Sequence, residues 1–367
     1  MITRRHFIVT SAAAAPALLA IPSVSMLSLP AHAATGNVVM LVWQGYDDAT
    51  ALKPLTDAGL VVEAQYISSN SETITKLRGG ALGSIDVVSP GLSTIEPLVA
   101  AGLIQPMDPA RLVSNGQLMA PFANVTWNKI DGKLYSIPVA WSDYPMVYRS
   151  DLFADPPAKW TDLADPKYKG RLVTLDDESN LRILARALFG TADFATITKA
   201  QLAQTVEAFL PIKANLVTIS PSYGDIVDVL ARGDAQACVL GWRFVEVQLK
   251  AKGFAATSYV PEEGTYLWCD NYSIATDAPN LDAAYAVIDR LTSPEGNAII
   301  GAATGSGVVN AGAVALLPED QRALHPYDDI DNFLAKNPFF LPAPLDESGD
   351  IATRRDWSDA WEQVKLG

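Results

Sequence analysis

Asn37-Val38-Val39-Met40-Leu41-Val42-Trp43 is the stretch from which the rest of the chain is read. Five consecutive apolar residues, mostly β-branched, in so short a run describe a strand buried on both faces. A helical stretch follows from Ala49 to Ala58 and stops at Gly59. Leu60 to Tyr66 reads as the next strand. Ser71 to Arg78 reads as a helix, capped by Asn70 or Ser71 and closed by Gly79-Gly80. Ile85 to Ser89 is a third strand, and Thr94 to Ala101 a third helix ended by Gly102. No hairpin turn separates the strands. This β-α-β-α-β-α order predicts a parallel sheet covered by helices.

The middle of the chain repeats the style. Arg171 to Leu175 and Ala237 to Leu240 read as strands. Leu181 to Phe189, Leu202 to Leu210, Tyr223 to Ala231, Phe244 to Lys252, Ala283 to Leu291 and Glu295 to Ala302 read as helices. The last helix, Arg354 to Lys365, carries Trp357 and Trp361 four apart on one face, a pair placed to pack the tail against the body. No Gly/Ser linker divides the chain, so two α/β units would be joined by several crossing segments. The glycines at 301, 305 and 307 do not match a nucleotide-binding fingerprint. They read as a turn where backbone packs closely.

The N-terminus addresses the compartment. Thr3-Arg4-Arg5-His6-Phe7, an apolar run to Leu29 and Ala31-His32-Ala33 form the three parts of an export signal cleaved before Ala34. The paired arginines before Phe resemble a twin-arginine signal. Residues 1–33 are therefore expected to be a removed signal peptide and the remainder a soluble periplasmic protein. Removal takes two arginines and no acid, so 27 basic against 41 acidic residues becomes 25 against 41. That balance repels nucleic acid and attracts cations.

Composition also excludes chemistry. His325 is the one histidine beyond the signal, and Leu324-His325-Pro326-Tyr327 reads as a surface turn. A multi-histidine metal site is impossible and a histidine-based triad implausible. Cys238 and Cys269 lie in apolar strand-like runs, either bridged or as two buried thiols. Acid pairs at Asp47-Asp48, Asp176-Asp177-Glu178, Glu262-Glu263 and Asp328-Asp329 have no calcium-loop spacing. No metal, cofactor or catalytic residue is expected. Aromatics beside acids carry more information: Trp43-x-x-Tyr46-Asp47, Trp141-Ser142-Asp143-Tyr144 and Trp268-Cys269-Asp270-x-Tyr272. An aromatic face attracts an ammonium ion and a nearby carboxylate neutralises it. Packing of the core is the competing use.

At these residues the chain resembles the periplasmic polyamine-binding proteins, within the type II solute-binding proteins of ABC importers. Asp86-Val87-Val88, Gly102 to Asp108, Gly132 to Pro138 and Asp165 to Gly170 carry the likeness. The resemblance implies a two-lobed α/β fold with a ligand cleft between the lobes. Lobe one is expected at 36–137 plus 270–312, lobe two at 138–269 plus 313–367. It implies a small cationic solute captured by lobe closure, and an inner-membrane permease with its ATPase as partners of a monomeric receptor. Trp43, Tyr46, Asp177, Trp268 and Asp270 match the family's ligand positions, and Trp242 falls one place off another. Trp141 and Asp143 join them as candidates. The sequence departs at Asn180, where the family has Glu, at Gly91-Leu92-Ser93 and at Ser306, where an aromatic is lost. A shorter or modified amine needs fewer such groups. The rival readings are a receptor for an amino-acid derivative, anion or iron, with Tyr223 and Tyr272 available to a ferric site, and an exported hydrolase.

Overall fold

A computed structural model describes residues 36–67 and 69–366. The export signal expected at 1–33 lies outside them. Among the described residues no helix is long and apolar enough to cross a membrane.

Fourteen strands are described, most of them in two sheets. In the larger, β1 (Gly36–Val42) lies parallel to β2 (Leu60–Tyr66) and β3 (Val87–Val88). Val38, Met40, Leu41 and Val42 are fully buried, as the unbroken apolar run requires. Each such side chain contributes roughly 1.5–3 kcal/mol by leaving water. The connecting helices, Ala49–Asp57 and Asn70–Lys76, begin at Asp48 and Ser69, whose side chains accept from first-turn N–H groups. The same logic builds the smaller sheet, where β9 (Leu172–Leu175) lies parallel to β10 (Leu216–Ser220) and β11 (Ala237–Cys238).

The sheets are not wholly parallel, which corrects the expectation. β4 (Ile104–Gln105) and β3 both pair antiparallel with β13 (Leu267–Ala275). β13 also pairs antiparallel with β7 (Ile137–Asp143), and β7 with β14 (Gly307–Val308). In the smaller sheet β8 (Met146–Arg149) is antiparallel to β11 and to β12 (Ala256–Tyr259). A separate hairpin joins β5 (Lys129–Ile130) to β6 (Lys133–Leu134). Two of the antiparallel strands, β8 and β13, are those at which the chain arrives from the other sheet: β7 leads to β8 through Tyr144-Pro145, and β12 to β13 through residues 260–266. A strand arriving directly from another sheet has no crossover helix to make it parallel.

The family-like stretches are structural. Asp86 is fully buried, and its carboxylate accepts from Val39 N at 2.9 Å and Asn280 N at 2.7 Å. The terminal helix, Arg354–Leu366, buries Trp357 and Trp361, and Trp361 Nε1 donates to Asp176 Oδ1 at 2.7 Å. The glycine-rich turn packs as expected. A Cβ on Gly307 would lie 2.4 Å from the Trp141 indole. Gly305 closes the helix Pro294–Thr304 at φ +67°, where only glycine is unstrained.

His325 corrects a second expectation. It is buried rather than at a surface turn, packs against Trp141 at 5.1 Å between ring centroids, and places Nε2 3.0 Å from the Gly305 carbonyl. Burial, reinforced by Arg243, pushes its pKa down to about 4, so the ring is neutral. Both cysteines are buried and free.

Candidate functional site

The parallel strands deliver the candidate residues at their carboxyl ends, where ligand groups gather in open α/β sheets. Trp43 and Tyr46 follow β1, Asp177 follows β9, Tyr223 follows β10 and Trp242 follows β11. Trp268 and Asp270 come from β13, whose Asp270 bridges to Gly91 in the loop after β3.

Asp270 is the charged centre of this set. Tyr46 OH donates to its Oδ2 at 2.8 Å. Tyr46 is held in turn by Tyr272, whose OH donates to the Tyr46 carbonyl and whose ring meets it edge-on at 6.3 Å. Among the described residues no lysine, arginine or histidine pairs with Asp270. Burial pushes its pKa up to about 7, with the Tyr46 hydrogen bond opposing. A carboxyl so placed gains much from an arriving cation.

Aromatic rings continue from there. Trp268 meets Trp242 edge-on at 6.3 Å, Trp242 stacks on Phe244 at 4.9 Å, and Tyr223 lies 5.5 Å from Trp242. Tyr144 packs on Tyr266 at 5.1 Å and feels both Asp177 and Asp270, which links the two acids. Burial, first of all, raises the phenols of Tyr144, Tyr223 and Tyr266 above the ordinary tyrosine range. Trp43 Nε1, Trp242 Nε1 and Tyr223 OH are buried and have no hydrogen-bond partner among the described residues.

Asp177 is half-buried, with Oδ1 accepting from Ser179 N at 2.7 Å. Its loop is pinned by Asn180, whose Nδ2 donates to the Leu175 and Asp177 carbonyls at 2.8 and 2.7 Å and whose Oδ1 accepts from Thr174. The residue that replaces the family's Glu is therefore spent on the loop.

Register separates the remaining candidates. Trp268 pairs with Ser142, Cys269 with Trp141 and Leu267 with Asp143. Cross-strand partners share a face and neighbours alternate, so Trp141 and Asp143 stand on the face opposite Trp268. Trp141 is fully buried and donates Nε1 to the Val308 carbonyl at 3.0 Å. Asp143 takes both ends of the Arg243 guanidinium, at 2.8 and 2.7 Å. Their polar atoms are satisfied by the protein itself. Conversely, the structure brings in Tyr266, which no motif includes, Tyr144, which the motif Trp141-Ser142-Asp143-Tyr144 contains but no ligand position claims, and Tyr223, named above for a ferric site. Tyr144 was legible by alternation, since it follows Asp143 by one position where the chain leaves the strand. Tyr266 adjoins Trp268 at a sheet crossing that no local pattern announces. Among the described residues no group of three or more His, Cys, Asp or Glu is arranged to hold a metal.

The chain matches the family described as bacterial extracellular solute-binding protein over residues 49–323. It is 24% identical over 283 residues to the spermidine/putrescine-binding periplasmic protein of Escherichia coli K12, covering 76% of this chain and 79% of that one. It is 26% identical to a putrescine-binding periplasmic protein of Pseudomonas aeruginosa UCBPP-PA14, covering 95% and 98%. A spermidine/putrescine ABC transporter substrate-binding protein from Streptococcus pneumoniae superposes with a TM-score of 0.73 at 22% identity, over 90% of this chain and 99% of that one. The binding protein MotA of A. tumefaciens B6, solved with glucopine, gives 0.69 at 16%, over 90% and 100%. The structural likenesses establish the fold.

Proposed function

Because the chain belongs to the bacterial extracellular solute-binding protein family, we propose that it captures a small organic cation, a polyamine-like amine, in the cleft of a two-lobed fold. It is a binding protein of an ABC transporter and not an enzyme. In the full reading it is exported to the periplasm as a monomer. It hands its solute to an inner-membrane permease driven by a cytoplasmic ATPase.

The lobes follow the two sheets. Tyr144-Pro145 and residues 260–266 are then the hinge strands, close to the boundaries expected at 137/138 and 269/270. Trp43, Tyr46, Trp268 and Asp270 line one wall, and Asp177 and Trp242 face them from the other. A solute that touches both walls binds the closed form better, and so shifts the population toward it. Trp141 and Asp143 serve as packing behind the first wall.

The observation that carries the reading is Asp270, a buried carboxyl held by Tyr46, among aromatics and without a protein cation. An ammonium group supplies the missing charge, and each aromatic face adds about 0.5–2 kcal/mol. The names of the relatives support an amine. The test is a thermal-shift screen against polyamines, amino acids, quaternary amines, sugars and anions, because a ligand of the native state raises Tm by mass action. The expected result is a rise with amines that disappears in Asp270→Ala. A rise with only sugars or anions overturns the cationic reading and leaves the family standing.

A further inference from the structure

The far wall of the site holds a group, the Trp242 indole N–H, that an ammonium ion cannot satisfy. An indole N–H is a donor and nothing else, and a protonated amine carries donors and no acceptor. Trp242 Nε1 is buried without a partner among the described residues, and so is the hydroxyl of Tyr223, whose ring lies 5.5 Å away. Leaving such groups unpaired is costly, so a solute that fits the site brings an acceptor to Trp242, while the Tyr223 hydroxyl can donate to that acceptor as well. The same wall holds one acceptor, Asp177, whose Oδ1 is engaged by Ser179 N. Arg182 lies nearby but is paired with Glu178. A second ammonium would leave the Trp242 N–H unpaired, and a carboxylate meets Asp177 as a like charge. A neutral amide answers both demands. Its carbonyl accepts from Trp242 and Tyr223, and its N–H donates to the free oxygen of Asp177.

Resting on the cation-receptor reading above, we infer that the natural solute is an amine with one charged end, held at Asp270, and an amide at the other end, held by Trp242, Tyr223 and Asp177. This places it among acylated or carbamoylated amines rather than bare diamines.

Isothermal titration of the mature protein with putrescine, N-acetylputrescine and γ-aminobutyrate tests it. These probes share one ammonium end and differ in carrying a second ammonium, an amide or a carboxylate. The expected result is N-acetylputrescine tighter than either of the others by about tenfold or more, the size of one hydrogen bond left unmade. Trp242→Phe keeps a ring and removes the N–H, so it should lower affinity for N-acetylputrescine by about tenfold, a larger loss than for putrescine, which offers the N–H no acceptor. Tyr223→Phe, checked with Trp242→Phe for native circular dichroism, should act in the same direction and keeps the test open if one variant fails to fold. Putrescine or γ-aminobutyrate binding as tightly as the amide overturns this inference alone. Failure of every amine to bind overturns the inference together with the cation-receptor reading on which it rests.

Discussion

Two Trp-x-Asp triplets lie on neighbouring strands and have opposite fates. Trp141-Ser142-Asp143 on β7 is closed on itself: its indole is hydrogen-bonded, its acid is locked to Arg243, and Gly307 and His325 pack on its ring. Trp268-Cys269-Asp270 on β13 is open: its indole faces Trp242, and its acid is held by a phenol with no protein cation. The same three-residue pattern serves as core in one strand and as candidate site in the other. What separates them is a pairing register that sends them to opposite faces of one sheet.

The contrast breaks most visibly at the acids. Asp143→Ala leaves the Arg243 guanidinium buried and unpaired, so urea unfolding should show a loss of about 3–5 kcal/mol. Asp270→Asn removes a buried acid that has no protein cation, so unfolding should change little. Amine affinity should instead fall by about 2–4 kcal/mol, or roughly 30- to 1,000-fold in Kd by titration calorimetry. Equal destabilisation by the two changes would end the comparison.

The acids also answer pH in opposite senses. Burial raises the Asp270 pKa to about 7 in the folded chain, above its unfolded value near 3.9. Its contribution to stability is thus complete below the unfolded value and is lost as pH rises through about 7. Burial also pushes the Asp143 carboxyl up, but Arg243 more than offsets this and holds it below the usual range. Its contribution is present above the unfolded value and lost as pH falls through the lowered one. For binding, only ionised Asp270 holds an ammonium. Amine affinity should therefore be flat above about pH 7 and fall roughly tenfold per unit below it, since one proton then competes with the ligand. Titration calorimetry at pH 5, 6, 7 and 8 checks the slope, and Asp270→Asn should abolish it.

Packing gives a third, smaller test. Gly307→Ala pushes a methyl into the Trp141 indole and should cost about 1–3 kcal/mol of stability by urea unfolding, while any amine that binds the parent keeps its affinity. Weakest of all is the expected response to thiol reagents. Burial raises both cysteine pKa values, Cys238 standing in β11 and Cys269 in β13. Neither should react with a colourimetric disulfide reagent before unfolding, and reducing agent should leave Tm unchanged.

Much of the fold could be read without coordinates. The apolar run of β1, the helix after it and the glycines that end several helices are local signals that the observed elements follow, whereas Gly79-Gly80, expected to close the second helix, lies inside a π-helical turn, Leu77–Ala81. Tyr46 and Asp270 were also legible as candidates, because each stands in a motif of aromatics beside an acid, Tyr46 just past the end of β1 and Asp270 within β13 rather than at the strand end expected. The antiparallel strands β7, β8 and β12 were not, since nothing local says that a strand will leave its sheet. The grouping of Tyr144, Tyr223 and Tyr266 stayed hidden, although Tyr144 stands in a quoted motif and Tyr223 is a candidate for a ferric site, because the three are far apart in sequence. They come together only where β9, β10 and the sheet crossings converge.

The sequence alone determined the α/β class, the export-like N-terminus, the absence of a histidine-based metal site and a short list of aromatics and acids, because periodicity, caps and composition are properties of neighbours in the chain. Only the tertiary structure decided which Trp-x-Asp faces the site, that His325 is interior, and that Trp242 and Tyr223 lack partners among the described residues. Those depend on the register between strands far apart in sequence, and on how much water a packed neighbour excludes.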